Sequence, residues 1–565
     1  MLRSGAGRGG SQKQPTGAGL RQRTHTRGIA VAATIITNGI IRTDAFAEPV
    51  EALTVSRGRI LAAGSRDEAE AVAGSGAQIH DLKGASVIPG LVESHVHPIF
   101  YGLTRNWADC RSPLNRDIAD VQKTLRATLR NLTGNAWVRG WGYDDTLLFE
   151  NRHPTRDDLD AVSTDVPVIV SHISGHFVVA NTKAMEVAGV TEEMSDPAEG
   201  RLVRDGNGKL TGLMWELGAV NLIMDAAPKP RESELQDAAV HALSTAASRG
   251  MTSVHDLGIG LMGGAMELET WEHLADADRI PIRVIGYLRG DYATDLLDAR
   301  PDLFTAGPRG NFDLVGAKYW ADGSIQGLSA ALTQPYSCAQ ESCGDLLFEF
   351  DHLVNLVKTI DAAGGQCAVH ANGDRAIRTV VDAFAEVKKD GGRSDSRHRI
   401  EHLQMASAND IEDLIAAGGA ASVFANHIYY WGDRHRDIFI GEERASRIEP
   451  LADAVSKGLH FGLHSDCPIT PMDSLRTLWT AVTRETSSGV TLGPEQRLTP
   501  AQALHSLTAD SAWLAGAEGT RGTLLPGMDA DLAVLDRDIL HSNSAELADV
   551  GVVGTMVGGE WVFTA

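Results

Sequence analysis

Eight short apolar runs, separated in several places by segments of helical texture, constrain the fold of this chain more than anything else in it. They read ASVIPGLVESHVH, TSVHDLG, IRVIGYL, LVGAKYWADGS, QCAVHANGD, RIEHLQ, ASVFANH and HFGLHSD. Intervening stretches such as DHLVNLVKTIDAAGG and NDIEDLIAAGG end in glycine, as helix C-termini often do. Strand alternating with helix argues for a parallel sheet, and eight repeats argue for a sheet closed on itself. The expected fold is therefore α/β, a (β/α)8 TIM barrel. At 565 residues the chain is long enough for a large barrel with accessory parts.

Those accessory parts have a different texture. Residues 31–88 are rich in short β-branched runs broken by Asn-Gly and Arg-Gly, which are hairpin signals, and residues 515–565 read the same way. One small β-sandwich domain assembled from both termini is expected, around a barrel over 89–514. Within the barrel, the stretch from about 105 to 240 is too long for one crossover helix and reads as an inserted subdomain covering the barrel mouth. Residues 1–30 are Gly-, Arg- and Gln-rich with hardly an apolar side chain, so a disordered tail is expected there. The following IAVAATIITNGII lacks a clear cleavage site and runs into strand-like sequence, so it reads as structure rather than a signal-peptide core. No stretch reaches the ~18 apolar residues of a membrane span.

The net charge of −23 repels nucleic acid and anionic lipid, which argues against both as partners. Five cysteines are too few for a disulfide framework at this length, and a reducing cytoplasm is the expected location. Cys338 and Cys343 lack zinc-ribbon spacing and read as part of a surface loop.

Barrel enzymes place their chemistry at the C-terminal ends of the strands. The first run ends in His95 and His97, which point to the same side because residues i and i+2 of a strand do so. That pair alone fits either chance or a grip on a metal ion. The fourth run carries Lys318, the fifth ends in His370, the sixth carries His402 and the eighth ends in Asp466. A buried lysine or aspartate without a partner costs several kcal/mol or becomes neutral. One such residue reads as a satisfied core group, but six converging on one face read as a site.

The segments VIPGLVESHVHP, KYWADGSIQGLSAALTQPY, VHANGDRAI, RIEHLQ, HSDCPITPMDSL and GTLLPGMDADLAVLD together resemble the amidohydrolase superfamily, in its amidohydrolase-3 branch, over nearly the whole chain. The resemblance implies that His95, His97 and Asp466 hold one divalent metal, usually zinc. It also implies that Lys318, carboxylated by CO2, bridges to a second metal held by His370 and His402. Histidine nitrogen and carboxylate oxygen suit zinc. The implied reaction is hydrolysis of a non-peptide C–N bond, an N-acyl or N-formyl amide of a small molecule, by a metal-bound hydroxide, with Asp466 as the catalytic proton carrier. Deamination of a cyclic amidine is the close alternative, disfavoured because ANGD after His370 offers no glutamate. Lactone or carbamate hydrolysis stays open, as does a homodimer. A non-catalytic regulatory relic of the fold is the alternative of a different class, although such descendants usually lose ligands and this chain keeps all six. His176 in HISGHF is implied to reach the site mouth and contact substrate, the alternative being a satisfied core histidine. Trp141, Tyr143 and Trp320 are candidates for lining a substrate pocket or plain core. Asp322 is expected beside Lys318, orienting it. His153, His172 and His255 have no partner assignable from sequence.

Overall fold

The computed structural model describes residues 33–565 apart from positions 131, 133, 135, 198 and 199. The tail expected at 1–30 lies outside the described residues. The eight apolar runs form eight strands: β1 (Leu91–Val96), β2 (Met251–Ile259), β3 (Arg283–Arg289), β4 (Phe312–Trp320), β5 (Gln366–Ala371), β6 (Arg399–His402), β7 (Ala420–Val423) and β8 (Phe461–Leu463). They neighbour one another in chain order, every pair parallel. Just beyond the last strand the chain returns to the first. The Asp466 amide donates to His95 O at 3.1 Å and the His97 amide to Cys467 O at 2.8 Å. These two bonds draw the ends of β8 and β1 together at the face where the polar residues converge.

Helices cover the outside of the barrel because their apolar residues recur at helical spacing. In Asp374–Lys389 the buried set is Ala376, Ile377, Val380, Val381, Ala383, Phe384 and Val387. On its outer face Arg378 pairs with Asp382 and Asp413. The helix Glu232–Ser248, which the expected boundary near 240 would divide, packs on Pro98–Thr104 and on β2. Its Leu235, Ala238, Ala239, Ala242 and Leu243 join the main core, so it is the crossover of the first β/α unit.

The stretch between those two helices builds a sheet of its own. Its six strands run in the order Arg201–Arg204, Leu210–Trp215, Phe177–Ala180, Val168–His172, Val138–Tyr143 and Ala108–Asp109. Its last strand in sequence passes directly into α1 (Glu216–Ala226). Strands from the two ends of the chain share another sheet, in which Ser86–Pro89 pairs antiparallel with Leu532–Leu535 and parallel with Thr34–Ile41. That sheet is hydrogen-bonded as one path of seven strands with an eighth on its flank. Among the described residues no helix is long and apolar enough to cross a membrane, and Cys338 and Cys343 are free thiols.

Candidate metal centre

β1 delivers Glu93, His95 and His97 by its two-residue repeat. Glu93 accepts from the Ser465 amide at 2.7 Å and from Ser474 Oγ at 2.9 Å, which fixes the turn that carries Asp466. Burial pushes the Glu93 carboxyl up to about 8. His95 Nδ1 lies 2.6 Å from Glu401 Oε2, leaving Nε2 to face Asp466 Oδ1 at 3.3 Å. His97 Nε2 is 3.2 Å from the same oxygen. These three groups form one compact N/N/O set.

The second set comes from β5 and β6. His370 turns Nε2 toward Gly323 O at 3.0 Å, and its Nδ1 faces His402 Nε2 at 3.0 Å. His402 and Asp466 both sit in left-handed backbone, with φ of 74° and 52°. Such a conformation costs roughly 1–3 kcal/mol per non-glycine residue and clusters at functional sites. Lys318, only 1% exposed, lines the same cavity as both sets. Burial lowers its ammonium to about 8, although the carboxylates of Glu401 and Asp466 pull the other way. Burial, and then neighbouring positive charges including Lys318, hold His95, His370 and His402 well below the usual imidazole range. Neutral imidazoles are the metal-binding form.

The donor set fits divalent cations. Asp466 Oδ1 is buried without a hydrogen-bond partner, and imidazole nitrogens face each other at hydrogen-bond distance. His464 was not anticipated from sequence, although His-Ser-Asp at the end of β8 repeats the i, i+2 spacing of His95 and His97. It forms a second compact group with His95 and His402. Its Nδ1 binds Ser422 Oγ at 2.7 Å, its Nε2 faces His402 Nδ1 at 3.1 Å, and it does not line the cavity. Its place is behind His402, as a support.

The structure separates the remaining candidates. His176, Trp141 and Trp320 line the cavity; Tyr143 does not. Tyr143 is buried in the core of the inserted sheet, with its hydroxyl 3.0 Å from His153 Nδ1, because the strand's alternation is broken at Gly142. Asp322 accepts from the amides of Ala331, Asn372 and Gly373 and lies 3.6 Å from His370 Nε2. Its partners are thus on the His370 side, where sequence reasoning expected Lys318. His176 Nδ1 pairs with Glu216 Oε2 at 2.7 Å. Burial alone would lower this imidazole, but the Glu216 charge and hydrogen bond raise it above its ordinary range. Glu216 itself has φ 63°, at the junction of strand and α1. His172 sits against Asp145 and Ser174, and His255 against Arg399. Asp144 binds Arg434 at 2.6 Å, so one of the two carboxylates in the Asp144–Asp145–His172 group is already paired with a guanidinium.

Residues 78–563 match the amidohydrolase family, which is 486 positions of the chain. The chain belongs to that family. This amidohydrolase is 28% identical over 542 residues to N-substituted formamide deformylase of Arthrobacter pascens, covering 93% of the present chain and 97% of the relative. It is 28% identical to the putative amidohydrolase YtcJ of Bacillus subtilis, over 91% and 96% of the two chains. Among solved structures, an uncharacterized metal-dependent hydrolase from Pyrococcus horikoshii superposes with a TM-score of 0.74 at 26% identity, over 91% of this chain and 99% of the other. This amidohydrolase is accordingly a metal-dependent hydrolase on a TIM barrel.

Glu401 provides a direct test of the centre's support. It is fully buried between His95 and Arg399, whose Nη2 lies 3.0 Å from Oε2. Glu401→Gln is expected to weaken metal binding by about 10–100-fold, the usual effect of losing a carboxylate behind a histidine ligand. It strands the buried Arg399 charge as well, which costs about 3–5 kcal/mol. Metal retention against a competing chelator and the melting temperature read the two effects separately.

Proposed function

We propose that this amidohydrolase cleaves a non-peptide amide, an N-acyl or N-formyl group, at a two-zinc centre held by His95, His97, Asp466, His370 and His402 and bridged by carboxylated Lys318. The observation that carries this reading is the arrangement of one His/His/Asp set, one pair of facing imidazoles and one buried lysine lining a single cavity. The likeness to a relative named for deformylation of N-substituted formamides, over 93% of the chain, supports an amide as the bond attacked.

Bound zinc ions would lower the pKa of a water to near neutrality and polarise the carbonyl under attack. The chain's own residues supply the remainder. As an ammonium Lys318 would repel both cations. Addition of CO2 to its amine would form an N–C bond with release of one proton, and the resulting carbamate would be an anion able to help hold the metals. Asp466 accepts the proton of the attacking water and passes it to the leaving nitrogen, which departs poorly until protonated. His176, held by Glu216, presents Nε2 as a hydrogen-bond partner for the substrate.

Deamination fits less well. After His370 come Ala371, Asn372, Gly373 and Asp374, and the Asp374 carboxylate is bonded to the Thr333 amide outside the cavity. A screen of N-formyl amines, N-acyl amino acids of both hands, lactones and carbamates, run beside elemental analysis, tests the proposal. Two zinc ions per chain and fastest turnover of an amide are expected, with loss of turnover on chelation and recovery on adding zinc. Turnover that survives complete metal removal, or a lactone preferred over every amide, would overturn it.

A further inference from the structure

The wall of the cavity opposite in character to the metal centre comes largely from one helix. Leu217, Val220, Asn221 and Met224 of α1 line it, at positions i, i+3, i+4 and i+7, which share one helical face. Ala219 and Ile223, on another face, pack into the core of the inserted subdomain. The helix is therefore apolar on two sides, one for its own sheet and one for whatever enters the site. Phe100, Trp107, Trp141 and Ile469, from a single apolar cluster, extend the wall, and Val178, Leu261, Met262 and Trp320 add to it.

Charge is what this wall lacks. Lys318 is the one lysine or arginine lining the cavity among the described residues, and it belongs to the metal centre. Arg139 lies over the Trp107 ring at 5.5 Å, donates to Pro228 O at 2.5 Å and does not line the cavity. His176 lines the cavity, and the charge of its imidazole is already met by the Glu216 carboxylate at 2.7 Å from Nδ1. The lining polar side chains beyond the metal centre and His176 are Ser171, Ser174 and Asn221, all neutral. The Asn221 carboxamide makes no side-chain hydrogen bond among the described residues. An anionic group placed against this wall would lose its water and find no counter-ion that is not already paired or part of the metal centre.

We infer that α1 reads the substituent on the scissile nitrogen and accepts an uncharged apolar group, aryl or branched alkyl, while turning away an α-carboxylate; the substrates are N-acyl derivatives of apolar amines and not of amino acids. The inference rests on the amide reading above and narrows it. A matched pair isolates the carboxylate: N-formyl-2-phenylethylamine and N-formylphenylalanine, the latter in both hands, with the zinc-loaded enzyme. The amine derivative is expected to be the better substrate by at least about 100-fold in kcat/KM, equal to ~2.7 kcal/mol at tenfold per 1.36 kcal/mol. Asn221→Arg, which adds a cation to the wall, is expected to narrow that ratio by tenfold or more through the KM of the acid. If either hand of the acid is hydrolysed within tenfold of the amine derivative by the wild-type enzyme, the inference is overturned and amide hydrolysis stands. If neither compound is turned over, nor any other amide, the amide reading falls. The pair is then compared as competitive inhibitors of whichever ester or lactone is hydrolysed, and acid binding as tight as the neutral compound overturns the inference independently.

Discussion

Lys318→Ala is expected to leave the purified protein with no more than one metal per chain and to reduce kcat by more than about 10³-fold. A metal that stabilises transition-state charge contributes several kcal/mol, and each 1.36 kcal/mol is tenfold in rate. The lysine sits in β4, the strand hydrogen-bonded to β5 with its His370, and it lines the cavity shared by both ligand sets. Removing it deletes the side chain proposed to bridge them. A short carboxylic acid such as propionate supplies an anionic oxygen pair to the vacated space and should restore part of the activity. Lys318→Met fills the same volume without the amine, so it separates loss of the bridge from collapse of the cavity. Two metals per chain and wild-type turnover in Lys318→Ala would remove the bridge from the mechanism.

Asp466→Asn is expected to lower kcat by about 10²–10⁴-fold, the usual scale for general acid–base catalysis, with little change in KM. The substitution is structurally mild. Asparagine keeps a donor oxygen where Oδ1 faces His95 and His97, and it is among the residues that best tolerate the left-handed backbone found at this position. The backbone bond from Asp466 N to His95 O does not involve the side chain. The amide cannot carry the proton from water to leaving nitrogen. A folded, metal-loaded variant that keeps more than a tenth of wild-type kcat would move the proton shuttle elsewhere, and His176 with Glu216 would be tested next.

The barrel was legible because each strand is a short apolar run, five of them carrying a candidate polar residue at or near the C-terminal end, and local pattern alone reveals that. The same pattern placed His95, His97, Lys318, His370, His402 and Asp466 on one face, since strand parity and the common direction of parallel strands follow from sequence. What pattern does not carry is which side chain meets which across strands. Glu401 was passed over as the polar neighbour of His402, yet it serves His95 on a strand 306 residues away in sequence. Tyr143 and Trp141 are two residues apart, but one closes the insert's core and the other faces the cavity, because Gly142 with φ 91° breaks the alternation between them. Asp322 likewise follows the loop path toward Asn372 and Gly373, which no spacing in ADGS foretells.

The antiparallel pairing of Ser86–Pro89 with Leu532–Leu535 has a consequence for how the molecule is made. β1, which leads into the candidate ligands His95 and His97, begins two residues after that pairing. Its anchor is thus emitted more than four hundred residues before the partner that secures it. A ribosome releases the eight barrel strands while the edge of Ser86–Pro89 on that side is still bare, and such edges recruit foreign strands. An enzyme truncated before residue 532 would keep all six candidate metal-binding side chains but lose the strand paired with Ser86–Pro89, two residues ahead of β1.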